Sequence, residues 1–314
     1  LIVSLLAWVV LGRRTKVMTQ HLGSRTMPDF FGERYKSKSL KITASVIVFV
    51  FLIPYTASVY NGLSRLFAMA FNIPYTWCVV TMAAFTALYV ILGGYMATAI
   101  NDFIQGIIML IGIVAVIAAV LNGQGGFMNA IAEMAKIPSD VPLTQGQPGA
   151  FTSFFGPDPV NLLGVVLLTS LGTWGLPQMI GKFYAIKDEK SISTGTIIST
   201  IFALVVAGGS YILGGFGRLF SDEIDVAANG YDSIIPTMLS GLSPMLIALV
   251  VILVLSASMS TLSSLVIASS STLTIDFLKD NFIKDMSDKK QVLSIRILVV
   301  VFIAISSILA LIQY

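Results

Sequence analysis

The chain has 314 residues, 56% hydrophobic and only 11% charged, with a formal net charge of +3 and a mean hydropathy of +0.89. Soluble domains carry about 25% charged residues, so the composition excludes a soluble globular protein and indicates an all-α polytopic membrane protein. The single cysteine, Cys78, excludes an internal disulfide framework, and the single histidine, His21 in a basic loop, argues against a histidine-built metal centre or catalytic triad.

The opening stretch from Leu1 to Leu11 is apolar but about half the ~20 residues a span needs. It also lacks the charged n-region and small-residue cleavage site of a signal peptide. A partial span is expected at 1–12. Seven fuller ones follow at 43–71, 76–94, 100–121, 159–181, 192–216, 234–275 and 292–314. The 43–71 and 234–275 runs exceed a bilayer thickness, which implies tilting, kinking or extension past the membrane. Pro236 and Pro244 predict a short separate helix at the start of the 234–275 run. Because the chain both starts and stops inside apolar stretches, it reads as a single transmembrane domain truncated at both ends.

The loops divide by charge. Loop 13–41 carries Arg13, Arg14, Lys16, Arg25, Arg34, Lys36, Lys38 and Lys41; loop 182–191 carries Lys182, Lys187 and Lys190; loop 276–291 carries Lys279, Lys284, Lys289 and Lys290. The alternate loops, 122–158 and 217–233, hold only Lys136 and Arg218 beside seven acidic residues, including Asp140 and Asp225. Fifteen basic residues against two place loops 13–41, 182–191 and 276–291 in the cytoplasm by the positive-inside rule. Topology accounts for these charges without a nucleic-acid partner; the expected surroundings are a lipid bilayer.

Four segments carry polar groups that apolar packing does not need. In 43–71, Tyr55, Ser58, Tyr60 and Asn61 give the helix a polar face, and Arg65 lies toward one end, where it can snorkel or pair with an acid. In 89–105, Gly93 and Gly94 end one helix and Asp102 is expected to open the next, as a helix cap or as a cation station. In 164–181, Gly172, Gly175 and Pro177 interrupt a span near its middle. Proline has no N–H, so the carbonyl near Thr173 loses its helical partner. Such an interruption is either a plain kink or a transporter binding site, lined by Thr169, Thr173, Trp174, Pro177 and Gln178 with Gly172 and Gly175 as the hinge. In 255–264, Ala257, Ser260 and Thr261 stand at i, i+3 and i+4 and share one helix face. Two hydroxyls and a carbonyl there either bond back into the helix and glue neighbours together, or offer oxygens to a small hard cation that needs roughly five or six.

The chain contains no phosphate-binding glycine loop followed by lysine, no HExxH, no CxxC and no GxSxG. Neither an enzyme nor a nucleotide-driven pump is expected, and no cofactor is called for.

Taken in order, these motifs resemble the sodium:solute symporter family, which includes sodium/proline, sodium/pantothenate and sodium/glucose carriers. The resemblance rests on TMPDFFGERY from Thr26 to Tyr35, on Tyr89, Gly93, Gly94, Ala97, Asp102 and Gln105, on Pro177 with Gln178, and on Ala257, Ser260 and Thr261 followed by Leu262 and Ser263. It implies a LeuT-like inverted-repeat bundle, of which this chain looks like spans three to ten, without the unwound first helix that completes the sodium site. It further implies that Ala257, Ser260 and Thr261 ligate a coupling sodium ion, that Asp102 takes part in sodium handling, and that the 172–177 break with Gly93 and Gly94 supplies hinges. The sodium/proline branch carries Trp and Tyr eight and four residues before the helix-breaking proline; here those positions are Thr169 and Thr173. The sugar branch replaces that proline by Asn or Asp. The resemblance therefore implies sodium-coupled symport of a small organic solute bearing a carboxylate, such as an amino acid or pantothenate, in a bacterial cytoplasmic membrane. The other readings are a transporter-like sensor domain signalling to a kinase and a proton-coupled transporter of the same fold.

Overall fold

The computed structural model describes residues 5–186, 188–223, 230–283 and 285–313. Residues 1–4 of the first expected span, together with Lys187, Asp225, Lys284 and Tyr314, lie outside the described residues. Among the described residues there is no strand.

The first segment runs through a π-helical turn, Ala7–Gly12, directly into helix α1, Arg13–Leu22, and a second helix, α2, Met27–Tyr35, follows. The basic stretch expected as a loop is thus largely helical. Thr26 caps α2 by accepting from the Asp29 N–H at 3.1 Å, the role a short polar side chain plays at a helix start. Helix α3, Lys38–Phe71, is 34 residues long. At 1.5 Å per residue it spans about 51 Å, well beyond a ~30 Å apolar layer, so its first turns, with Lys38 and Lys41, stand outside that layer.

The two runs expected at 76–94 and 100–121 form one hydrogen-bonded stretch, α4, Tyr75–Gly123, interrupted at Gly94 with φ 59° and ψ −168°. The chain folds back there. Asn101 Nδ2 donates to the Tyr89 hydroxyl at 3.0 Å, whereas twelve residues of straight helix would separate the two backbones by about 18 Å. Asp102 is therefore not a helix cap. Gly94 alone makes the break, helix resumes at Tyr95, and Asp102 sits two turns inside.

Helix α5, Phe127–Lys136, lies in the acidic loop after α4. The span expected at 159–181 is two helices, α6 (Pro159–Trp174) and α7 (Pro177–Ala185), bent by 44°. Helix α8, Glu189–Phe202, passes through a π-helical turn, Ala203–Ala207, into α9, Gly208–Gly215. The short helix expected before Pro244 is α10, Ile234–Ser240. It is followed by α11, Pro244–Thr272, which continues as a π-helical turn through Leu273–Lys279, and by α12, Asp288–Gln313. Five of these stretches are long and apolar enough to cross a membrane, and the bent pair α6–α7 makes a sixth.

Packing divides the helices into two groups. The dense one joins α3, α4, α11 and α12 around Tyr60, Leu63, Val79, Leu262, Leu265, Val299 and Phe302, all at most 2% exposed. Gly112 lets α4 approach α11 closely, since a Cβ there would stand 2.6 Å from Leu253 Cδ1. The looser group joins the first segment to α7 and α8. Trp8 meets Phe183 edge-on at 5.0 Å, over Gly195, and Lys16 Nζ donates to the Tyr184 carbonyl at 3.0 Å. No residue of α6 is buried.

Charged contacts tie the loops in two places. At the basic end, Thr26 bonds Asp276 at 2.5 Å and Lys41 pairs with Asp280, joining loop 13–41 to the region after α11. At the acidic end, Arg218 pairs with Asp140 at 3.0 Å and its guanidinium lies 3.8 Å over the Phe151 ring.

The Gly94 conformation is one that only glycine adopts without strain, so Gly94→Ala is expected to cost about 1–3 kcal/mol. Thermal unfolding in detergent should show a lowered midpoint for this variant, with Gly62→Ala, at a helical glycine with nothing within 4 Å, unchanged or raised. Equal midpoints would mean that the fold-back does not constrain the chain.

Candidate functional site

Helix α6 ends because Pro177 cannot supply the N–H that would continue it. The Thr173 carbonyl is met instead by the Gly175 N–H and, at 3.4 Å, by the Leu176 N–H. Leu176 is extended, at φ −65° and ψ 129°, and its carbonyl accepts from Met179 and Ile180 at 2.9 and 3.0 Å. Pro177 thus starts α7 at the first helical position, where its missing N–H costs nothing.

Beside this break lies a cavity of about 490 Å³. Thr169, Ser170, Thr173 and Trp174 line it from α6, and Leu176, Gln178, Met179 and Lys182 from the break and α7. Across from them stand Ser260, Thr261 and Ser264 of α11, with Tyr55 of α3 and Tyr211 of α9 completing the polar wall. Ala7, Ala203, Leu204, Ala207 and Gly208 close the rest. The Gln178 Oε1 atom is buried and has no hydrogen-bond partner, an unmet acceptor on the cavity wall.

The two α11 hydroxyls have a defined orientation. Ser260 Oγ donates to the Ala257 carbonyl at 3.1 Å, and Thr261 Oγ1 donates to the same oxygen at 2.9 Å. The Ala257 carbonyl is therefore engaged rather than free. Each hydroxyl has spent its one proton backwards, which leaves its oxygen lone pairs for the cavity. Hydroxyls that already donate are polarised into better acceptors. The threonines opposite behave alike: Thr169 Oγ1 donates to Val165 O at 2.8 Å, and Thr173 Oγ1 to Ser170 O at 3.0 Å and Thr169 O at 3.1 Å.

Six of the candidate site residues meet in this cavity, Thr169, Thr173, Trp174, Gln178, Ser260 and Thr261, together with Tyr55 from the polar face of α3; Ala257 does not line it. Gly175 and Pro177 face the other side, where with Leu176 and Tyr55 they border a separate apolar groove of about 620 Å³. Gly172, Gly93, Gly94 and Asp102 line neither space. Asp102 Oδ1 and, three residues on, Gln105 Oε1 are buried without hydrogen-bond partners. Ser264 was legible from the same periodicity as Ser260, and Lys182 stands one turn beyond Gln178. Nothing in the sequence pointed to Tyr211.

A helical bundle with a mid-span break facing a hydroxyl-lined helix is the architecture of a secondary transporter. A profile of the sodium:solute symporter family matches residues 1–314, and the chain belongs to that family. It is similar to the sodium/proline symporter of Staphylococcus aureus, 31% identical over 311 residues, covering 96% of this chain and 58% of that protein. It is also similar to the osmoregulated proline transporter OpuE of Bacillus subtilis (strain 168), 29% identical over 289 residues, covering 91% of this chain and 57% of that protein. The chain thus spans well under two thirds of these relatives' length. Among solved structures, a substrate-bound, outward-open Na+-coupled sialic acid symporter superposes with a TM-score of 0.69 at 17% identity, covering 99% of this chain and 70% of that one. The fold is that of a sodium-coupled symporter, as the motifs implied, and the protein is a multi-pass membrane protein.

If the cavity is one water-filled compartment, cysteines placed at Thr173 and at Ser264 should react at comparable rates with a hydrophilic thiol reagent. Leu262→Cys, at a position 0% exposed, should not react, and native Cys78, 4% exposed, should not compete. Reaction at only one of the two lining positions would divide the cavity.

Proposed function

We propose that the protein is a sodium-coupled symporter of a small organic solute and works by alternating access. The observation that carries this is the meeting of the outward-turned Ser260 and Thr261 oxygens with the broken α6–α7 helix across one cavity. Sodium is a hard cation that takes oxygen ligands, roughly five or six of them. Ser260 and Thr261 supply two; the Ala257 carbonyl, which accepts from both hydroxyls, adds a third only when one of them turns away from it. Asp102, with an unmet buried oxygen, is the acidic candidate for a further role in sodium handling. The break supplies the solute side: Thr169, Thr173, Trp174 and Gln178 offer hydroxyls, a ring and an amide within the cavity, with Gly172, Gly175, Pro177, Gly93 and Gly94 as points of flexure.

Sodium bound with solute favours closure, and the low sodium of the cytoplasm empties the site on the other side. A membrane potential of 100 mV adds about 2.3 kcal/mol per charge carried fully across. The basic loops 13–41, 182–191 and 276–291 face the cytoplasm of a bacterial cell in this reading. The solute bears a carboxylate, as amino acids and pantothenate do. Two relatives are named for proline, but the paired threonines make a smaller and more hydrophilic wall than aromatic rings would.

The test is uptake of a labelled panel, with proline and pantothenate among its members, by the full-length protein in proteoliposomes. Uptake is expected to require a sodium gradient and to fall at least about tenfold in Ser260→Ala/Thr261→Ala, the effect of losing roughly 1.4 kcal/mol or more of ligation. Uptake driven equally by a proton gradient, or unchanged in the double variant, would overturn sodium coupling. Sodium binding without any uptake would favour a sensor.

A further inference from the structure

Away from the cavity, at the basic end, four charged side chains from three elements close on one another. Lys41, on the first turn of α3, lies 2.7 Å from Asp29 Oδ1 of α2, 3.6 Å from Asp276 Oδ1, and in hydrogen-bond contact with Asp280. Asp276, fully buried in the π-helical turn after α11, also accepts from Thr26 Oγ1 at 2.5 Å. Asp29 accepts from the Arg25 N–H at 3.0 Å, while Thr26 caps α2. One ammonium thus holds three carboxylates, and two contacts of the cluster, Lys41 with Asp29 and Thr26 with Asp276, run between α2 with its cap and the α3–α11 pair. Helices α3 and α11 already share the large apolar core. What the ions add is the attachment of α2 to that core.

The chain just before α2 is attached elsewhere. Helix α1 ends at Gly23, whose φ of 66° lies in the left-handed region, with nothing within 4 Å of where a Cβ would stand. Upstream of it, Lys16 is 7% exposed and donates to the Tyr184 carbonyl of α7. The packing of Trp8 on Phe183 completes that tie. Helix α1 is therefore fastened to the second half of the broken helix, which also touches α2 and α11, and α2 is fastened chiefly to the dense body, with Gly23, Ser24 and Arg25 joining the two helices.

On the alternating-access reading of the cavity, we propose that the Lys41 cluster is a fixed anchor that makes α2 part of the dense body. Gly23–Arg25 is then the hinge about which α1 and α7 swing together as the cavity changes the side it opens to. The cluster stays intact through the cycle, because the half-buried ammonium cannot leave without stranding the buried Asp276 and the half-buried Asp29. Rotation at Gly23 meets no side chain and breaks at most the two N–H bonds to the Thr19 carbonyl. Lys41 and Thr26 are positioning residues: they touch neither the cavity nor anything in it.

The experiment uses the full-length protein in proteoliposomes, with sodium alone as the probe. A cysteine at Ala207, on the cavity wall, reports opening through its rate of labelling by an impermeant maleimide, in sodium against choline. Hydrogen exchange of residues 27–35 reports the anchor. With native Lys41, sodium should change the labelling rate. Lys41→Met should speed exchange in 27–35 by at least about tenfold, leave exchange in α12 unchanged, and abolish the sodium response; Lys41→Arg should restore both. Asp29→Asn, which removes the charge that Lys41 holds on α2 and leaves the Thr26 cap in place, should move both readouts the same way by a smaller factor, and it decides the matter should Lys41→Met fail to fold. A loosened α2 with an intact sodium response would overturn the hinge, and unchanged exchange in 27–35 would overturn the anchor. No sodium response with native Lys41 present would instead sink the symport reading, and the hinge with it.

Discussion

A polypeptide in an apolar layer must satisfy its own backbone, so a broken helix persists there only where it is buried in protein or lines a cavity. The interruption between Trp174 and Pro177 is the constraint on which the site depends. In an unbroken helix, Thr169 and Gln178, nine positions apart, would point in opposite directions, since nine steps of 100° leave a difference of about 180°. With Leu176 extended and the axis turned by 44°, both line the same cavity. The proline that stops one helix also starts the next, so the break is confined to two residues, and the Thr173 carbonyl is met there by the Gly175 and Leu176 N–H groups. A single backbone device thus sets where the wall bends, which side chains share it, and where the chain can flex.

That bend needs something rigid to bend against. The dense group supplies it through close backbone approach as much as through bulk. Gly112 on α4 faces Leu253 of α11 with no room for a methyl group, and the hydroxyls of Thr56, Thr86 and Ser306, buried in the core, each bond a carbonyl one turn back. Lipid tails give helices little hydrophobic reason to associate, so small residues and satisfied polar groups carry the packing. The looser group rests on a few specific contacts instead, the Trp8–Phe183 pair and the Lys16–Tyr184 bond among them. The cavity sits between the two, which is where a change of packing can alter its opening without disturbing the core.

Local chemistry was legible in the sequence; long-range pairing was not. The hydroxyl face of α11 follows from i, i+3, i+4 spacing, and the break follows from proline beside glycine, so Ser260, Thr261, Trp174 and Gln178 could be named without coordinates. Asp102 was misplaced because the glycine pair reads as a broad linker, whereas one residue with a positive φ turns the chain and helix resumes at once. Helices α1 and α2 were hidden because their polarity matches a loop, and only the Thr26 cap and the Gly23 stop mark them. The Lys41 cluster could not be read at all. Its partners lie up to 250 residues apart, and in the sequence each of its aspartates looks like an ordinary solvated loop charge.

The two meanings a serine–threonine pair can have in an apolar helix are usually set against each other: the hydroxyl either bonds back to the helix or serves a ligand. The α11 geometry joins them. A hydroxyl has one proton and two lone pairs. Bonding back uses the proton and fixes the rotor, so the lone pairs are turned outward before anything arrives. Two neighbours that share the Ala257 carbonyl are then fixed relative to each other as well as to the helix. An arriving cation meets oxygens that need not reorient, and no hydroxyl proton stands between it and them. The back-bonding that would make this pair merely structural is the same contact that leaves its oxygens free to accept. Such pre-orientation lowers the entropic cost of binding, and on the proposed reading it leaves the rest of the ion's oxygen shell to a second helix.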